Sequence, residues 1–251
     1  VLDIDVCGAA FKTVGDEAFW HRVNSGHWEP ATFRAIARHL SPETTFLDFG
    51  TWIGPITLFA ANRVKKVYSF EPDPEAARRL KANLALNPAL AAKIEVIEKA
   101  VWPESGTIRL GAKSAAGDSM TSVHHVKAQT SWEIPTITPA EIEALLPPEG
   151  PVFLKIDTEG AEYDIVPQLT RLISRPGLTA LVSFHPRFAA GGHPRFHKTF
   201  AMTQKVFAPF AGFKVHRVHH NTIRRAPLVE ALTGMKAAWF EAKTSYLFTR
   251  D

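Results

Sequence analysis

The stretch FLDFGTWIG, residues 46–54, constrains this chain more than any other. A short apolar run ends in Asp48, turns at Gly50, and closes on Gly54 and Pro55. An apolar strand that gives way to a glycine turn and then to a proline suited to the first position of a helix is the opening unit of a parallel α/β sheet.

The rest of the chain repeats that unit. Strand-like runs at 44–49, 66–71, 93–97, 152–157 and 178–184 alternate with helix-like segments at 55–64, 74–86 and 161–173. Asn87-Pro88 stops the second helix. Such alternation predicts a parallel sheet covered on both faces and, with right-handed crossovers, a doubly wound Rossmann-like α/β fold. Residues 213–219 and 245–250 read as two further strands that close the sheet as an antiparallel pair. Residues 1–40 form an N-terminal extension with a short β element and a helix, within the same domain as 41–251. Residues 103–137, rich in Gly, Ser, Thr and His, read as an inserted hairpin or loop. The tetrapeptide HPRF occurs at 185–188 and again at 193–196, too short a repeat to define a fold.

Composition narrows the classes. With 251 residues, 45% of them hydrophobic and 22% charged, the chain suits one domain with decorations. No apolar run approaches the ~18 residues of a membrane helix. Asp3 and Asp5 make the first residues unlike a signal peptide, so a soluble cytoplasmic protein is expected. Cys7 is the only cysteine, which excludes internal disulfides and a Cys-rich zinc site. The net charge of +4 is dispersed, with pairs such as Arg78-Arg79 and Arg224-Arg225 but no long cationic stripe. A nucleic-acid partner is therefore disfavoured, although the basic pI permits an RNA substrate.

In an open parallel sheet, ligands bind beyond the carboxyl ends of the strands. Asp48 lies there on the first strand, and Glu71 lies at the end of the second, 23 residues later. A carboxylate at that point commonly grips ribose hydroxyls. Gly50 permits a tight turn, and Gly54 a close approach. Alternatively, Asp48 caps a helix and Glu71 is a solvated strand end. A dinucleotide site, as in an NAD-dependent oxidoreductase, needs G-x-G-x-x-G so that a pyrophosphate can lie on the backbone. This turn reads D-F-G-T-W-I-G, with Trp52 between the glycines. It better suits a nucleoside with an amino-acid tail and no phosphates, S-adenosylmethionine.

Four segments in order, FLDFGTWIGPITLFAA, VYSFEPDP, NLALNP and FLKIDTEGAEYDIV, together resemble the FkbM-type family of methyltransferases, as does the lead-in WEPATF. The similarity runs from about residue 17 to residue 185. The resemblance implies a class I methyltransferase fold with a mostly parallel seven-stranded sheet, S-adenosylmethionine as methyl donor, and O-methylation of a small hydroxylated molecule, often a sugar or secondary metabolite. Asp48, Gly50, Thr51, Trp52 and Gly54 are expected around the methionyl end, Glu71 on the ribose, Ala100 near adenine, and Asp157 at the cofactor or acceptor. Members usually carry Ala-Asn after the motif glycine. Thr51-Trp52 stands here instead, so that an amide contact gives way to an aromatic wall. A non-catalytic binding module on the same scaffold is the remaining alternative.

Methyl transfer to oxygen requires alignment of the attacking hydroxyl and a destination for its proton. Asp157 and Glu159, at the fourth strand end, and His185, at the fifth, are the expected catalytic groups, with His185 as base. The resemblance supports the two carboxylates more than the histidine. Their spacing is no recognised ligand signature, and the adjacent pairs His124-His125 and His219-His220 point to opposite faces if on strands, so no metal site is expected. Most of the six tryptophans are expected in the core, with Trp20 and Trp28 in a lead-in that folds over the cofactor.

Overall fold

A computed structural model describes residues 1–112, 115–119, 121–123, 130–189, 196–234 and 244–250. The chain begins with an antiparallel hairpin, β1 (Leu2–Val6) and β2 (Ala9–Thr13), and two short helices, α1 (Glu17–Asn24) and α2 (Pro30–Ala37). The alternating unit follows: β3 (Thr45–Phe49), α3 (Pro55–Ala61), β4 (Lys66–Phe70), α4 (Pro74–Ala85), α5 (Pro88–Ala91) and β5 (Ile94–Ile97). Next come three strands of a separate small sheet, β6 (Ala100–Val101), β7 (Thr107–Gly111) and β8 (Ser131–Ile137), in the order β6-β8-β7. The segment expected as an inserted hairpin thus contains one, β7 against β8, with Thr107 opposite Pro135.

The chain continues through α6 (Pro139–Leu145), β9 (Val152–Ile156), α7 (Glu162–Ile165), α8 (Thr170–Ile173) and β10 (Leu178–Phe184). It ends with α9 (Pro186–Ala189), α10 (Phe196–Phe207), β11 (Lys214–His219), β12 (Thr222–Arg225), α11 (Leu228–Thr233) and β13 (Thr244–Thr249). The main sheet has the order β12-β11-β13-β10-β9-β3-β4-β5. From β5 to β10 every pairing is parallel, whereas β13 is antiparallel to both β10 and β11. This is the class I methyltransferase arrangement with two corrections. The sheet has eight strands among the described residues, not seven, because Thr222–Arg225 folds back on β11 as an outer strand. The single helix expected over 161–173 is broken into α7, a 3₁₀ turn (Val166–Gln168) and α8. Pro167 lies at the break; it has no N–H to give to the helix ladder, and its ring crowds the preceding turn.

Burial on both faces explains the apolar runs. All five residues of β3 and all five of β9 are buried. Phe46 and Phe153 point to one face, where their rings stack with centroids 5.3 Å apart and meet the N-terminal extension and α3. Leu47, Phe49, Leu154 and Ile156 point to the other face, against α7, α8 and α10. The extension is sewn on by the asparagines of NLALNP. Asn87 accepts the Lys12 N–H at 2.8 Å and donates to the Lys12 carbonyl at 2.7 Å, and Asn83 accepts the Val14 N–H at 2.8 Å.

The turn after β3 is held by one close approach. Gly50 has φ +77°, and a Cβ there would lie 2.0 Å from the backbone oxygen of Asp157. Neither atom belongs to a flexible side chain, so the turns after β3 and β9 meet only because residue 50 is glycine. Gly212 has φ +86° and open space around the corresponding position. Gly212→Ala is therefore expected to cost only the ~1–2 kcal/mol of left-handed backbone. Gly50→Ala, with the clash added, should cost at least twice as much in urea unfolding, and equal losses would refute the close approach.

Candidate active site

The parallel strands β3, β4, β9 and β10 end at one rim of the sheet, and two cavities open there. The first is lined by Gly50, Phe70, Glu71, Ala100, Val101 and Ile165, and is roofed by Asp118, Ser119, Thr121, Ser122 and Val123 and by Ile108 and Leu110 of the small sheet. The second is lined by Phe19, Arg22, Trp28 and Glu29 of the extension on one side and by Thr51, Pro55 and Lys155 on the other. Gly50, Trp52, Ser119, Asp157 and Glu159 line both, so the cavities share a wall.

Glu71 forms the polar end of the first cavity. Its Oε2 accepts the Trp52 N–H at 2.5 Å and its Oε1 accepts the Asp73 N–H at 2.8 Å. Burial pushes its pKa up, and those two N–H groups oppose the shift without cancelling it, so it stands at about 7. Trp52, with φ +52°, turns its indole into the shared wall and donates to the Gly117 carbonyl at 2.9 Å. Asp73 fixes the roof. Its Oδ1 caps α4 by accepting from Glu75 and Ala76, while its Oδ2 accepts from the Gly117 N–H at 2.7 Å and the Thr121 hydroxyl at 2.8 Å.

Asp48 and Gly54 line neither cavity. The Asp48 carboxylate is fully buried, with Oδ1 3.0 Å from the Lys155 ammonium and Oδ2 accepting from Thr57 at 2.6 Å. Lys155 also donates to the Gly50 carbonyl at 2.6 Å and reaches the second cavity. Asp48 therefore holds the lysine and does not face a cavity. Gly54 faces the core, where an added Cβ would lie 2.4 Å from Leu80 Cδ1. Thr51 is tied into the same buried network, donating to the Asp48 carbonyl and accepting from Ser69.

Lys155 and Glu162 are absent from the sequence-based site. Lys155 was recognisable as a single cation inside the apolar run VFLKI. Glu162 offered no comparable signal, since a glutamate in the first turn of a helix ordinarily faces solvent. Here it is fully buried beneath His185.

His185, Asp157 and Glu159 do converge. Ile156 of β9 stands opposite Val182 of β10, so both strands leave the sheet at the same rim. His185 Nε2 is 3.3 Å from Asp157 Oδ1 and 3.5 Å from Glu159 Oε1, and its Nδ1 is 3.2 Å from Glu162 Oε1. Burial, the largest influence, would lower the His185 pKa, but Glu162, Glu159 and Asp157 together outweigh it and raise it to about 9. The ring is buried and lines neither cavity, whereas Asp157 and Glu159 line both. The histidine expected as base thus stands behind the two carboxylates, which face the cavities in its place.

Of the lead-in tryptophans, Trp20 is core. Trp28 joins Phe19 and Trp52 in an edge-to-face series along the second cavity, with centroids 5.1 and 4.7 Å apart. His124, His125, His193 and Trp239 lie outside the described residues.

The raised pKa of Glu71 has a sign. An acid that binds its proton more tightly when folded contributes stability fully below its unfolded value of 4.5, and that contribution is lost as pH rises through about 7. Glu71→Gln removes this loss. Whatever offset the altered hydrogen bonding introduces, the variant should gain on the parent between pH 4.5 and 8, by up to about 3 kcal/mol. Urea unfolding of both proteins across that range measures the difference, and a constant gap would contradict the shift.

Residues 42–211, well over half of the chain, match the family model described as Methyltransferase FkbM domain. The hexuronic acid methyltransferase AglP of Haloferax volcanii is 23% identical over 181 residues, which span 69% of each chain. The crystal structure of methyltransferase FkbM from Methylobacillus flagellatus KT is 16% identical with a TM-score of 0.49; the match covers 83% of this chain and 44% of that one, so this chain spans less than half the length of that protein. Precorrin-6y C5,15-methyltransferase from Geobacter metallireducens GS-15 is 10% identical with a TM-score of 0.45, covering 95% and 91% of the two chains. With the family match spanning both strand ends that build the shared wall, this chain belongs to the FkbM methyltransferase domain family.

Proposed function

We propose that this protein transfers a methyl group from S-adenosylmethionine to an oxygen of a small polyhydroxylated acceptor of the sugar class, with uronic acids the first to test. The observation that carries this reading is the shared wall: Asp157 and Glu159 face both cavities, so groups held on either side meet at the same carboxylates. The hexuronic acid named for the Haloferax relative supports the acceptor class, and Arg22 gives the second cavity one cation for an acid group, beside the carboxylates of Asp16 and Glu29.

The first cavity fits the donor. Phe70, Val101, Leu110 and Ile165 give apolar walls for a base, and Glu71 gives a carboxylate for a ribose diol. Each Glu71 oxygen receives one backbone N–H and retains further accepting capacity. Trp52 fills the place where a dinucleotide's pyrophosphate would need bare backbone, which disfavours an NAD-dependent oxidoreductase. When bound, S-adenosylmethionine supplies an electrophilic methyl group on a sulfonium, whose sulfur keeps the bonding pair as a neutral thioether when the acceptor oxygen takes the methyl.

The chain's own residues then have two tasks. Trp28, Phe19 and Trp52 offer aromatic faces to the apolar side of a sugar ring and exclude water. Asp157 and Glu159 receive the hydroxyl proton as the oxygen–carbon bond forms and release it to solvent. His185, beneath them, fixes their orientation and is itself held by Glu162.

Calorimetry should show S-adenosylhomocysteine binding and no comparable response to NAD. Binding of NAD alone would move the chain to the oxidoreductases, and binding of neither would leave a non-catalytic module. Labelled methyl from S-adenosylmethionine should enter free or linked uronic acids and not bulk RNA. An alkali-stable product marks a hydroxyl acceptor, and an alkali-labile ester would shift the reaction to the carboxylate. Glu159→Gln should lower turnover about 100-fold or more while leaving S-adenosylhomocysteine affinity little changed. Turnover close to the parent's would remove Glu159 from the proton path.

A further inference from the structure

Three side chains that meet at the shared wall form more than a proton relay. Asp157, Glu159 and His185 each offer one ligand atom, and all three atoms lie within 4.8 Å of one another. We propose that they bind a single divalent cation of the magnesium or manganese type, held between the two cavities.

The geometry fits. In octahedral coordination by oxygen and nitrogen at about 2.1 Å, neighbouring ligands lie about 3.0 Å apart and opposite ones about 4.2 Å apart. The separations from Nε2 are 3.3 and 3.5 Å, between those two values. Two carboxylates and one imidazole are ligands that manganese accepts readily, and Cys7, the chain's one thiol, is exposed at the turn of the N-terminal hairpin and is not part of the cluster.

The imidazole is built as a ligand. Its Nδ1 faces Glu162 Oε1 at 3.2 Å, and the same oxygen accepts the His185 backbone N–H at 2.6 Å. Glu162 is itself fixed, with Oε2 accepting the Gly160 N–H at 2.9 Å. A buried carboxylate on the far ring nitrogen is the usual device that sets the tautomer of a metal-bound histidine. It aims Nε2 at the two carboxylates, and Nε2 is buried without a hydrogen-bond partner. A cation at Nε2 takes the place of a proton there, and three carboxylates face the ring to balance its charge.

The backbone points the same way. Glu159 has φ +50°, a left-handed conformation that is costly for a non-glycine residue and that persists only when its surroundings impose it. The Ser122 hydroxyl, from the cavity roof, donates to the Glu159 carbonyl at 2.6 Å and helps to hold it. The strained turn keeps the Glu159 side chain beside Asp157 and His185.

Cation binding stands on these residues alone. Its role rests on the proposed function: the cation would hold the acceptor oxygen at the shared wall and lower the pKa of its hydroxyl, so that the proton leaves as the oxygen–carbon bond forms.

The full chain, freed of metal with a chelator and then dialysed, should be titrated with Mn²⁺ while the free-ion electron paramagnetic resonance signal is followed. One equivalent should bind, and the bound ion should show the electron spin echo modulation of a directly coordinated imidazole nitrogen. Asp157→Asn and Glu159→Gln should each weaken binding about tenfold or more, and His185→Gln should abolish the nitrogen modulation. Because His185 is buried, the two carboxylate variants, whose side chains reach the cavities, decide the matter if the histidine variant does not fold. No bound Mn²⁺ at millimolar concentration, or undiminished binding in both carboxylate variants, would overturn the site. Methyl transfer unaffected by chelator would overturn the role and leave the methyltransferase reading intact. Absence of methyl transfer would leave the titration as decisive as before.

Discussion

The Lys155 ammonium organises this rim. It rises from the middle of a wholly buried strand, meets the Asp48 carboxylate, and donates to the carbonyl of Gly50. Strands β3 and β9 are neighbours, and the lysine joins the side chain of one to the turn that follows it. An isolated buried charge is costly, so each partner requires the other. Thr57, Thr51 and Ser69 complete the network and leave Asp48 no freedom to turn toward a ligand. The Gly50 turn, pressed against the Asp157 carbonyl, inherits this rigidity, as do the shared-wall residues that follow β9.

Much of the fold was legible because its signals are local and repeated. Apolar strands, prolines at the start of helices and the NLALNP stop each act over a few residues, and each marked an element close to its observed place. The eighth strand was not legible. TIRR is short and polar, and it is a strand only because β11 is there to pair with it. The broken helix was misread for a different reason: the apolar spacing of 161–173 continues through Pro167, so periodicity outvoted the one residue that could not join the ladder.

The site divides along the same line. Strand-end carboxylates could be read because parallel topology puts every strand end on one rim. What faces a cavity and what stands behind it could not. Asp48, Glu71 and His185 look alike in sequence, as polar residues closing apolar runs. Only the first two turns of packing send Asp48 to Lys155, leave Glu71 in the cavity wall, and place His185 on Glu162. The convergence of Asp157, Glu159 and His185 depends on a pairing register that no spacing in the sequence records.

The two cavities are also built from different parts of the chain. The first takes its walls from strand ends and the small sheet, all within the span matched by the family model. The second takes Asp16, Ala18, Phe19, Arg22, Trp28 and Glu29 from the extension that precedes that span. Asn83 and Asn87 moor this extension mainly through the backbone of Lys12 and Val14, so the mooring does not depend on the side chains around it. Substitutions within the first forty residues therefore act first on the second chamber, and on the first only through Trp52, against which Phe19 packs. The chain is arranged as a faceplate of its first forty residues set on a socket that the family match spans.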